Sequence, residues 1–156
     1  MIRLVAIGAE GRPEDPAIDV QDPVVRELCT NSKAHYDRVG FYPPWCGYIA
    51  VRDDVPLGVC GFRGPPDERE RVEIAYRVFA GYERQGLGSA MVEALVGIAR
   101  DHNPQMTVLT TTEPGDEASH HLLTRMGFAS AGECQDPYLG RAWSWWLEPG
   151  REPYEV

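Results

Sequence analysis

Short apolar runs, separated by glycine, proline and acidic residues, predict seven strands along this chain. The run MTVLTTT is rich in β-branched residues, which favour a pleated and largely buried segment. Two neighbouring runs are joined by residues 53–56, DDVP, and this composition is typical of a hairpin turn. The predicted strands are residues 1–7, 46–52, 57–63, 71–79, 106–112, 128–134 and 141–148.

Three other segments have apolar residues at helical spacing. The first opens with Asp22 as the N-cap and Pro23 at the first helical position, and its end before residues 39–45, VGFYPPW, is left open, with a second short helix as an alternative. The third has Gly127 just past its end, a usual stop signal. The second is the clearest, because a continuous apolar face recurs every three or four residues: Leu87, Ala90, Met91, Ala94, Leu95 and Ile98.

The element order is strand, helix, three strands, helix, strand, helix, two strands. This order predicts an α/β (α+β) fold, in which a mixed, mostly antiparallel central sheet of about six to seven strands is flanked by helices. One strand–helix–strand crossover surrounds Gly86 and Gly88. No internal repeat or linker interrupts the pattern, so residues 1–156 are predicted to form a single domain.

The composition narrows the range of binding partners that the chain is expected to have. A net charge of −9 argues against nucleic acid, which needs a basic surface, and favours a cationic substrate such as an amine. The N-terminal apolar run is too short for a signal peptide or a membrane span, so a cytoplasmic protein with no membrane partner is expected. Four cysteines without a C-x-x-C pair predict reduced, mostly buried thiols and no metal site: Cys29, Cys46, Cys60 and Cys134.

The sequence YERQGLGSAM places two glycines, Gly86 and Gly88, where a strand passes into a helix. The unpaired N–H groups and the dipole of a helix start attract anions, and glycine lets a phosphate approach the backbone closely. Arg84 adds charge and Ser89 a hydroxyl, so an anion site is favoured over the alternative of a simple turn. A dinucleotide motif fails because Met91 stands where a third glycine is required, and no Gly-Lys-Ser/Thr of a Walker loop is present.

Residues 83–88, ERQGLG, resemble the cofactor motif Gln/Arg-x-x-Gly-x-Gly/Ala of the GCN5-related N-acetyltransferase (GNAT) family, with Glu83 in place of the preferred Gln or Arg. Residues 72–90, VEIAYRVFAGYERQGLGSA, resemble the family's central strand and cofactor loop throughout. Residues 117–128, EASHHLLTRMGF, are similar to its later helix, which ends in Gly-Phe. The resemblance runs from about Tyr48 to the C-terminal Trp-rich strand, and it is greatest to the ribosomal-protein alanine N-acetyltransferase branch.

The resemblance implies the GNAT acyl-CoA N-acyltransferase fold and acetyl-CoA as the co-substrate, without a metal. Backbone groups of Val78 and Phe79 would pair with the pantetheine arm. The backbone amides of the loop and the first helical turn would bind the pyrophosphate: Arg84, Gln85, Gly86, Leu87, Gly88 and Ser89.

The resemblance also suggests catalytic groups. Glu73 stands on the central strand where relatives often carry the general base, and burial would raise its pKa into a useful range. The alternatives are a solvated carboxylate or an ion pair with Arg77 on the same face. Leu123 occupies the usual place of a tyrosine acid and has no proton to donate. Ser119, Tyr82 or a water is left as a substitute, and the Ser119 hydroxyl has the alternative role of satisfying the first helical turn.

The acceptor is predicted to be a primary amine, either a small molecule or a peptide N-terminus. Neutralising an α-amine near pH 7 costs about 1.4 kcal/mol and a lysine about 4.6 kcal/mol, so one modest base suits the α-amine better. The alternative function is an acyl-CoA-binding sensor, a degenerate acetyltransferase without turnover. The Trp-rich C-terminal strand is open to two interpretations, a homodimer interface or a cover for the core. Four aromatic residues are predicted either to line the acceptor pocket or to anchor their loop to the core: Tyr36, Phe41, Tyr42 and Trp45.

Overall fold

The computed structural model describes residues 1–149; residues 150–156 of the predicted domain lie outside the described residues. Over the described part, the chain alternates strands and helices in the predicted order. Its elements are β1 (Arg3–Ala6), α1 (Pro23–Val39), β2 (Gly47–Arg52), β3 (Val55–Phe62), β4 (Arg71–Val78), α2 (Leu87–His102), β5 (Thr107–Thr112), α3 (Glu117–Arg125), β6 (Ala129–Asp136) and β7 (Gly140–Leu147).

The strands form one seven-stranded sheet in the order β1-β2-β3-β4-β5-β7-β6. Neighbours pair in antiparallel fashion except β4 and β5, which are parallel and are connected through α2. Parallel strands require such a crossover, because a tight hairpin reverses the chain direction. The predicted α/β class with a mixed, mostly antiparallel sheet is confirmed.

Helices cover both faces of this sheet. Gly58 of β3 leaves room for the Met91 side chain of α2, and Gly47 of β2 leaves room for the Tyr36 hydroxyl of α1. Gly47 pairs with Gly61, and positions 58 and 61 of β3 point to opposite faces because side chains alternate along a strand. Therefore α1 and α2 bury opposite sides of the sheet, and β4 in its middle is accessible only where these helices leave gaps.

Two local predictions are wrong in their boundaries. The β2–β3 turn consists of Asp53 and Asp54 alone, with φ of 52° and 62°, and β3 begins directly after them. Two consecutive positive φ values are typical of a two-residue hairpin turn, whose twist matches that of the strands. The alternative of a second short helix before residues 39–45 is also wrong, because α1 continues to Val39. Asp22 caps α1 as predicted, and its carboxylate accepts from the N–H groups of Val24 and Val25.

The ladder between β4 and β5 is short. It joins Arg71–Glu73 to Thr107–Leu109, although both strands continue for several residues. Beyond it, the Thr110 hydroxyl donates a 2.9 Å hydrogen bond to the carbonyl of Ile74. Within the described residues, no ladder bond joins the two strands after this point. The second half of β4 therefore has one open edge in the middle of the sheet.

Candidate functional site

Two of the cavities in the described part lie against the open half of β4, and they share Tyr76 and Arg77. The larger, which we name the loop cavity, has a volume of about 800 Å³ and extends from β4 across the glycine loop to α3. This volume suits a ligand of cofactor size. The loop cavity is lined by Tyr76, Arg77, Val78, Glu83, Arg84, Gly86, Leu87, Gly88, Ser89, Asp116, Glu117, Ala118, Ser119, His121, Leu122 and Arg125.

The start of α2 faces the loop cavity without a cap. Its N-cap is Gly86, which adopts a left-handed conformation with φ of 74° and has no side chain to accept from the first N–H groups. Among the described residues, no backbone acceptor outside the helix takes the N–H groups of Leu87, Gly88 or Ser89. These donors and the helix dipole form an anion-binding surface. A Cβ atom built at Gly86 meets nothing within 4 Å, so the approach to the backbone is open.

Two arginines add positive charge to this surface. Arg84 belongs to the loop and adopts a φ of 66°, while Arg125 comes from the last turn of α3 and donates to the Ser89 hydroxyl at 3.3 Å. Glu83, the residue that departs from the family motif, accepts from the N–H of Gly81 at 3.0 Å. Its carboxylate therefore holds the turn before the glycines, and this contact gives Glu83 a structural role in the loop.

The backbone of β4 also contributes to the loop cavity. Phe79 directs its N–H to the carbonyl of Leu57 on β3 at 2.9 Å, and backbone groups alternate in direction along a strand. Tyr76 and Val78 consequently point their N–H and C=O groups toward β5, beyond the end of the ladder. Val78 therefore has backbone groups free for an extended ligand.

The structure does not bring two of the predicted cofactor residues to the cavity. The Phe79 N–H already donates to β3, and the Phe79 carbonyl accepts from Tyr82, so pairing with a pantetheine arm at Phe79 lacks free backbone groups. Gln85 is outside the residues that line the loop cavity, and its side chain accepts from Arg52 at 3.1 Å. The other predicted cofactor residues all line the loop cavity: Val78, Arg84, Gly86, Leu87, Gly88 and Ser89.

The smaller cavity, which we name the strand cavity, lies across β3 and β4 and has a volume of about 350 Å³. Arg63 stands at one end and Arg77 at the other, and the Tyr138 ring lies 5.0 Å from the guanidinium carbon of Arg63. The volume suits a small molecule or the end of a peptide. The strand cavity is lined by His35, Val59, Cys60, Gly61, Phe62, Arg63, Ala75, Tyr76, Arg77 and Tyr138.

Glu73 lies next to the strand cavity in an ion-pair cluster. Arg63 Nη1 donates to Glu73 Oε2 at 2.8 Å and to Asp136 Oδ2 at 2.6 Å. Both alternatives for Glu73 are therefore corrected: the carboxylate is paired, and its partner is Arg63 instead of Arg77, whose guanidinium packs over the Phe79 ring. The Glu73 side chain is still 34% exposed. Glu73 is thus held by a residue of the cavity wall and keeps access to water.

The pKa values of the two carboxylates in this cluster are shifted in opposite directions. Burial raises the pKa of Glu73, the Arg63 charge opposes this shift and the Asp136 charge adds to it. Burial also acts to raise the pKa of Asp136, but hydrogen bonds from Arg63, Thr111 and two backbone N–H groups outweigh it and lower the pKa to about 2. Carboxylates whose environments separate their pKa values have separate roles. Asp136 stays ionised and fixes Arg63, while Glu73 is the better proton acceptor.

We expect Asp136→Asn to lower the free energy of unfolding by about 2 kcal/mol near pH 7, because a shift of the pKa from 3.8 to about 2 corresponds to that amount. The folded-state pKa lies below the unfolded value. The contribution is therefore complete above about pH 4 and is lost as the pH falls toward about 2.

Urea denaturation at several pH values measures this difference. It should disappear near pH 2. The control is Glu133→Gln, which breaks an exposed pair with Arg141 and should leave stability nearly unchanged. A difference between wild type and Asp136→Asn that does not vary with pH would contradict the assignment.

Ser119 lies at the start of α3 with its side chain in the loop cavity wall. Asp116 caps this helix by accepting from the Ser119 N–H at 3.1 Å, so capping falls to Asp116 and not to the Ser119 hydroxyl. The Ser119 side chain instead neighbours the Tyr76 hydroxyl; burial raises the pKa of that phenol, and Ser119 acts against the shift. Leu123, one turn further along α3, is fully buried in the core.

The aromatic residues predicted for an acceptor pocket do not line the strand cavity. Tyr36 is buried, donates to the carbonyl of Ile7 at 2.8 Å and packs edge-on against Phe41. Trp45 is buried against Phe62 of the core. Tyr42 is 52% exposed on the surface. Of the two interpretations of this loop, the structure is in line with anchoring to the core.

Several residues of the two cavities carry no signal in the sequence. Arg63 and Asp136 are far apart in the chain and meet only through the sheet. Tyr138 lies in the β6–β7 turn, where no sequence pattern marks it, and no pattern distinguishes Arg125 of α3 from other charged surface residues. The one available signal for these residues was the position of Arg63, a polar residue at the end of a predicted strand. Within residues 1–149, no group of three His, Cys, Asp or Glu is placed to hold a metal, and no helix has the length and apolarity to cross a membrane.

Comparisons with known proteins show which family and which solved structures the chain resembles. The sequence profile of the Acetyltransferase (GNAT) family matches residues 17–128. A structure of the ribosomal L7/L12 alpha-N-protein acetyltransferase RimL superimposes with a TM-score of 0.69 at 15% identity, over 95% of this chain and 93% of that chain. A structure of a putative ribosomal-protein-serine acetyltransferase from Vibrio cholerae superimposes with a TM-score of 0.65 at 14% identity. The superposition covers 80% of this chain and 74% of that chain.

A structure of aminoglycoside acetyltransferase AAC(6')-Ib in complex with coenzyme A gives a TM-score of 0.57 at 20% identity, over 66% of this chain and 65% of that chain. Among curated proteins, none matches the sequence significantly. Identities this low establish the shared fold alone.

Proposed function

The chain belongs to the acetyltransferase (GNAT) family, and we propose that it transfers the acetyl group of acetyl-CoA directly to a primary amine. The observation that carries the proposal is the interrupted β4–β5 ladder, beside which the loop cavity and the strand cavity share Tyr76 and Arg77 as lining residues. A cofactor entering on one side and an amine entering on the other would meet there without leaving the protein.

The residues of the loop cavity fit acetyl-CoA. The uncapped start of α2, with Arg84 and Arg125 beside it, suits a pyrophosphate, and the free backbone of Val78 suits the amides of a pantetheine arm. Acetyl-CoA supplies an activated acetyl group on a thiol leaving group. Comparison structures solved with coenzyme A or acetyl-CoA share this fold, in line with the assignment.

Glu73 is proposed as the general base, acting through a water molecule. The Glu73 carboxylate takes a proton from the attacking amine as the new C–N bond forms and the C–S bond breaks, with the electron pair of that bond passing to sulfur. Arg63 fixes the direction of the carboxylate, and Asp136 fixes Arg63. Ser119 is proposed as a polar group on the cofactor side, since it lines the loop cavity.

The acceptor is proposed to be a small amine or a peptide α-amine, in keeping with the modest volume of the strand cavity. The comparison structures are named for a ribosomal protein and for an aminoglycoside, and the ribosomal-protein names agree with the predicted branch. The predicted homodimer stays a prediction.

An acetylation assay tests this proposal. The purified protein and acetyl-CoA are incubated with three acceptors: a peptide with a free α-amine, the same peptide blocked at its N-terminus with a free lysine, and a small primary amine. Mass spectrometry identifies acetylated products. We expect transfer to the α-amine peptide or the small amine well above the rate without protein. Binding of acetyl-CoA without transfer to any of the three would favour the sensor function.

A further inference from the structure

The Tyr76 hydroxyl occupies an unusual position. Tyr76 lies in the open half of β4, lines both cavities and points its ring toward the loop cavity, where a Cβ atom built at Gly88 would lie 3.8 Å from it. The hydroxyl oxygen is buried, and among the described residues it makes no hydrogen bond of normal geometry. Its polar neighbours are the Ser119 side chain and, further away, the Asp116 carboxylate.

A buried hydroxyl without a partner destabilises a protein, because it has given up its hydrogen bonds to water. Phenylalanine would fill the same space on β4 without this penalty. The Tyr76 ring points toward the loop cavity, so a ligand in that cavity is the natural partner for its hydroxyl. Functional groups retained at the expense of stability are typical of binding and catalytic sites.

The proposed reaction needs a hydrogen-bond donor to the departing sulfur on the cofactor side. Charge develops on sulfur as the C–S bond breaks, and Leu123 of α3 is aliphatic and fully buried. Ser89 accepts a hydrogen bond from Arg125, which orients its hydroxyl away from that arginine, but Ser89 lies in the first turn of α2 near the predicted pyrophosphate. Ser119 also lines the loop cavity, and Tyr76 is the hydroxyl-bearing residue of that cavity which lines the strand cavity as well.

We propose that the Tyr76 hydroxyl donates a hydrogen bond to the sulfur of the departing CoA thiolate, and so takes the role that Leu123 cannot fill. The inference rests on the proposed function. The electron pair of the C–S bond passes to sulfur, the amine proton leaves through Glu73, and the Tyr76 proton is shared with sulfur and returns to oxygen when CoA leaves. Because sulfur carries charge only as the bond breaks, the contact strengthens in the transition state.

Tyr76→Phe separates this role from a structural one. We expect kcat to fall about a hundredfold, since the variant loses a proton donor in the transition state. The dissociation constant for acetyl-CoA should change by less than about twofold, because the thioester sulfur is uncharged. The melting temperature should stay equal or rise, because an unpaired buried hydroxyl is removed.

The matched control is Tyr48→Phe, whose hydroxyl donates to the carbonyl of Pro44 at 2.6 Å and which lines neither cavity. This variant should lose stability and keep its kcat. Loss of stability and activity together in Tyr76→Phe would indicate a structural role and overturn the proposal.

A binding measurement provides a readout that does not depend on turnover. At about pH 9, above the ordinary thiol pKa of about 8.5, free CoA is largely the thiolate product. We expect Tyr76→Phe to bind CoA about tenfold more weakly than wild type and to bind desulfo-CoA equally well. Equal affinities for CoA in both proteins, or unchanged kcat, would overturn the role of Tyr76. Failure of wild type to bind acetyl-CoA at all would instead overturn the proposed function.

Discussion

Gly86→Ala is expected to weaken acetyl-CoA binding about a hundredfold while the protein stays folded, which corresponds to about 2.7 kcal/mol of binding free energy. Gly86 occupies the N-cap position of α2 without supplying a side-chain cap, lines the loop cavity, and has open space in front of its Cα. A methyl group there would project into the region where a phosphate approaches the N–H groups of the first turn. The φ of 74° adds strain of about 1 kcal/mol for any residue with a Cβ atom.

Gly140→Ala is the matched control for this experiment. Gly140 has the same φ of 74° and equally open surroundings, but it begins β7 and is outside the loop cavity. The two variants should therefore lose similar stability in thermal denaturation, and calorimetry should show weakened acetyl-CoA binding in Gly86→Ala alone. If both bind acetyl-CoA as tightly as wild type, the glycine is only a turn residue and the anion site lies elsewhere.

Glu73→Gln is expected to lower kcat about a hundredfold or more, with little change in acetyl-CoA binding. The amide cannot accept the amine proton, and a general base contributes about 10² to 10⁴ in rate. The fold should persist, because Arg63 keeps its 2.6 Å ion pair with Asp136. Steady-state kinetics on the best acceptor, with Glu133→Gln as an exposed control, measures the effect. Robust activity in Glu73→Gln would show that the mechanism is wrong.

The pH dependence gives a second test of Glu73. Protonation of the amine alone makes kcat/KM fall as the pH drops below the amine pKa. In wild type, the fall should steepen below the pKa of Glu73, because a protonated carboxyl group cannot act as a base. Burial first, and the Asp136 charge in addition, raise this pKa above the ordinary value of 4.5 against the pull of Arg63. The Glu73→Gln profile should show no steepening.

Local chemistry explains which parts of this account were predictable from sequence. Asp22 and Pro23 define a helix start through contacts within a few residues, and the glycine loop precedes α2 for the same reason. The predicted turn over residues 53–56 is two residues too long, because Val55 and Pro56 belong to β3 and only Asp53 and Asp54 of these four adopt positive φ. A β-branched residue after two acidic residues was the available signal for an earlier strand start.

The strand cavity was not predictable, because its polar residues are distant in sequence. Arg63 in the cavity wall and Asp136, which pairs with it, are separated by 73 positions and meet only in the folded sheet. Without that geometry, Arg77 was the natural partner for Glu73, two residues away on the same face. Tyr36 and Trp45 illustrate a second difficulty, since aromatic residues in a loop serve equally well as a pocket wall or as an anchor.

The most direct test of the central claim is calorimetric titration of the purified protein with acetyl-CoA, with ATP and NAD titrated in parallel under the same conditions. The account predicts a single site that binds acetyl-CoA with micromolar affinity and neither nucleotide at comparable concentrations. That result would mean that the open edge of β4 and the uncapped start of α2 bind the cofactor together. Absence of acetyl-CoA binding, or a preference for ATP or NAD, would contradict the account.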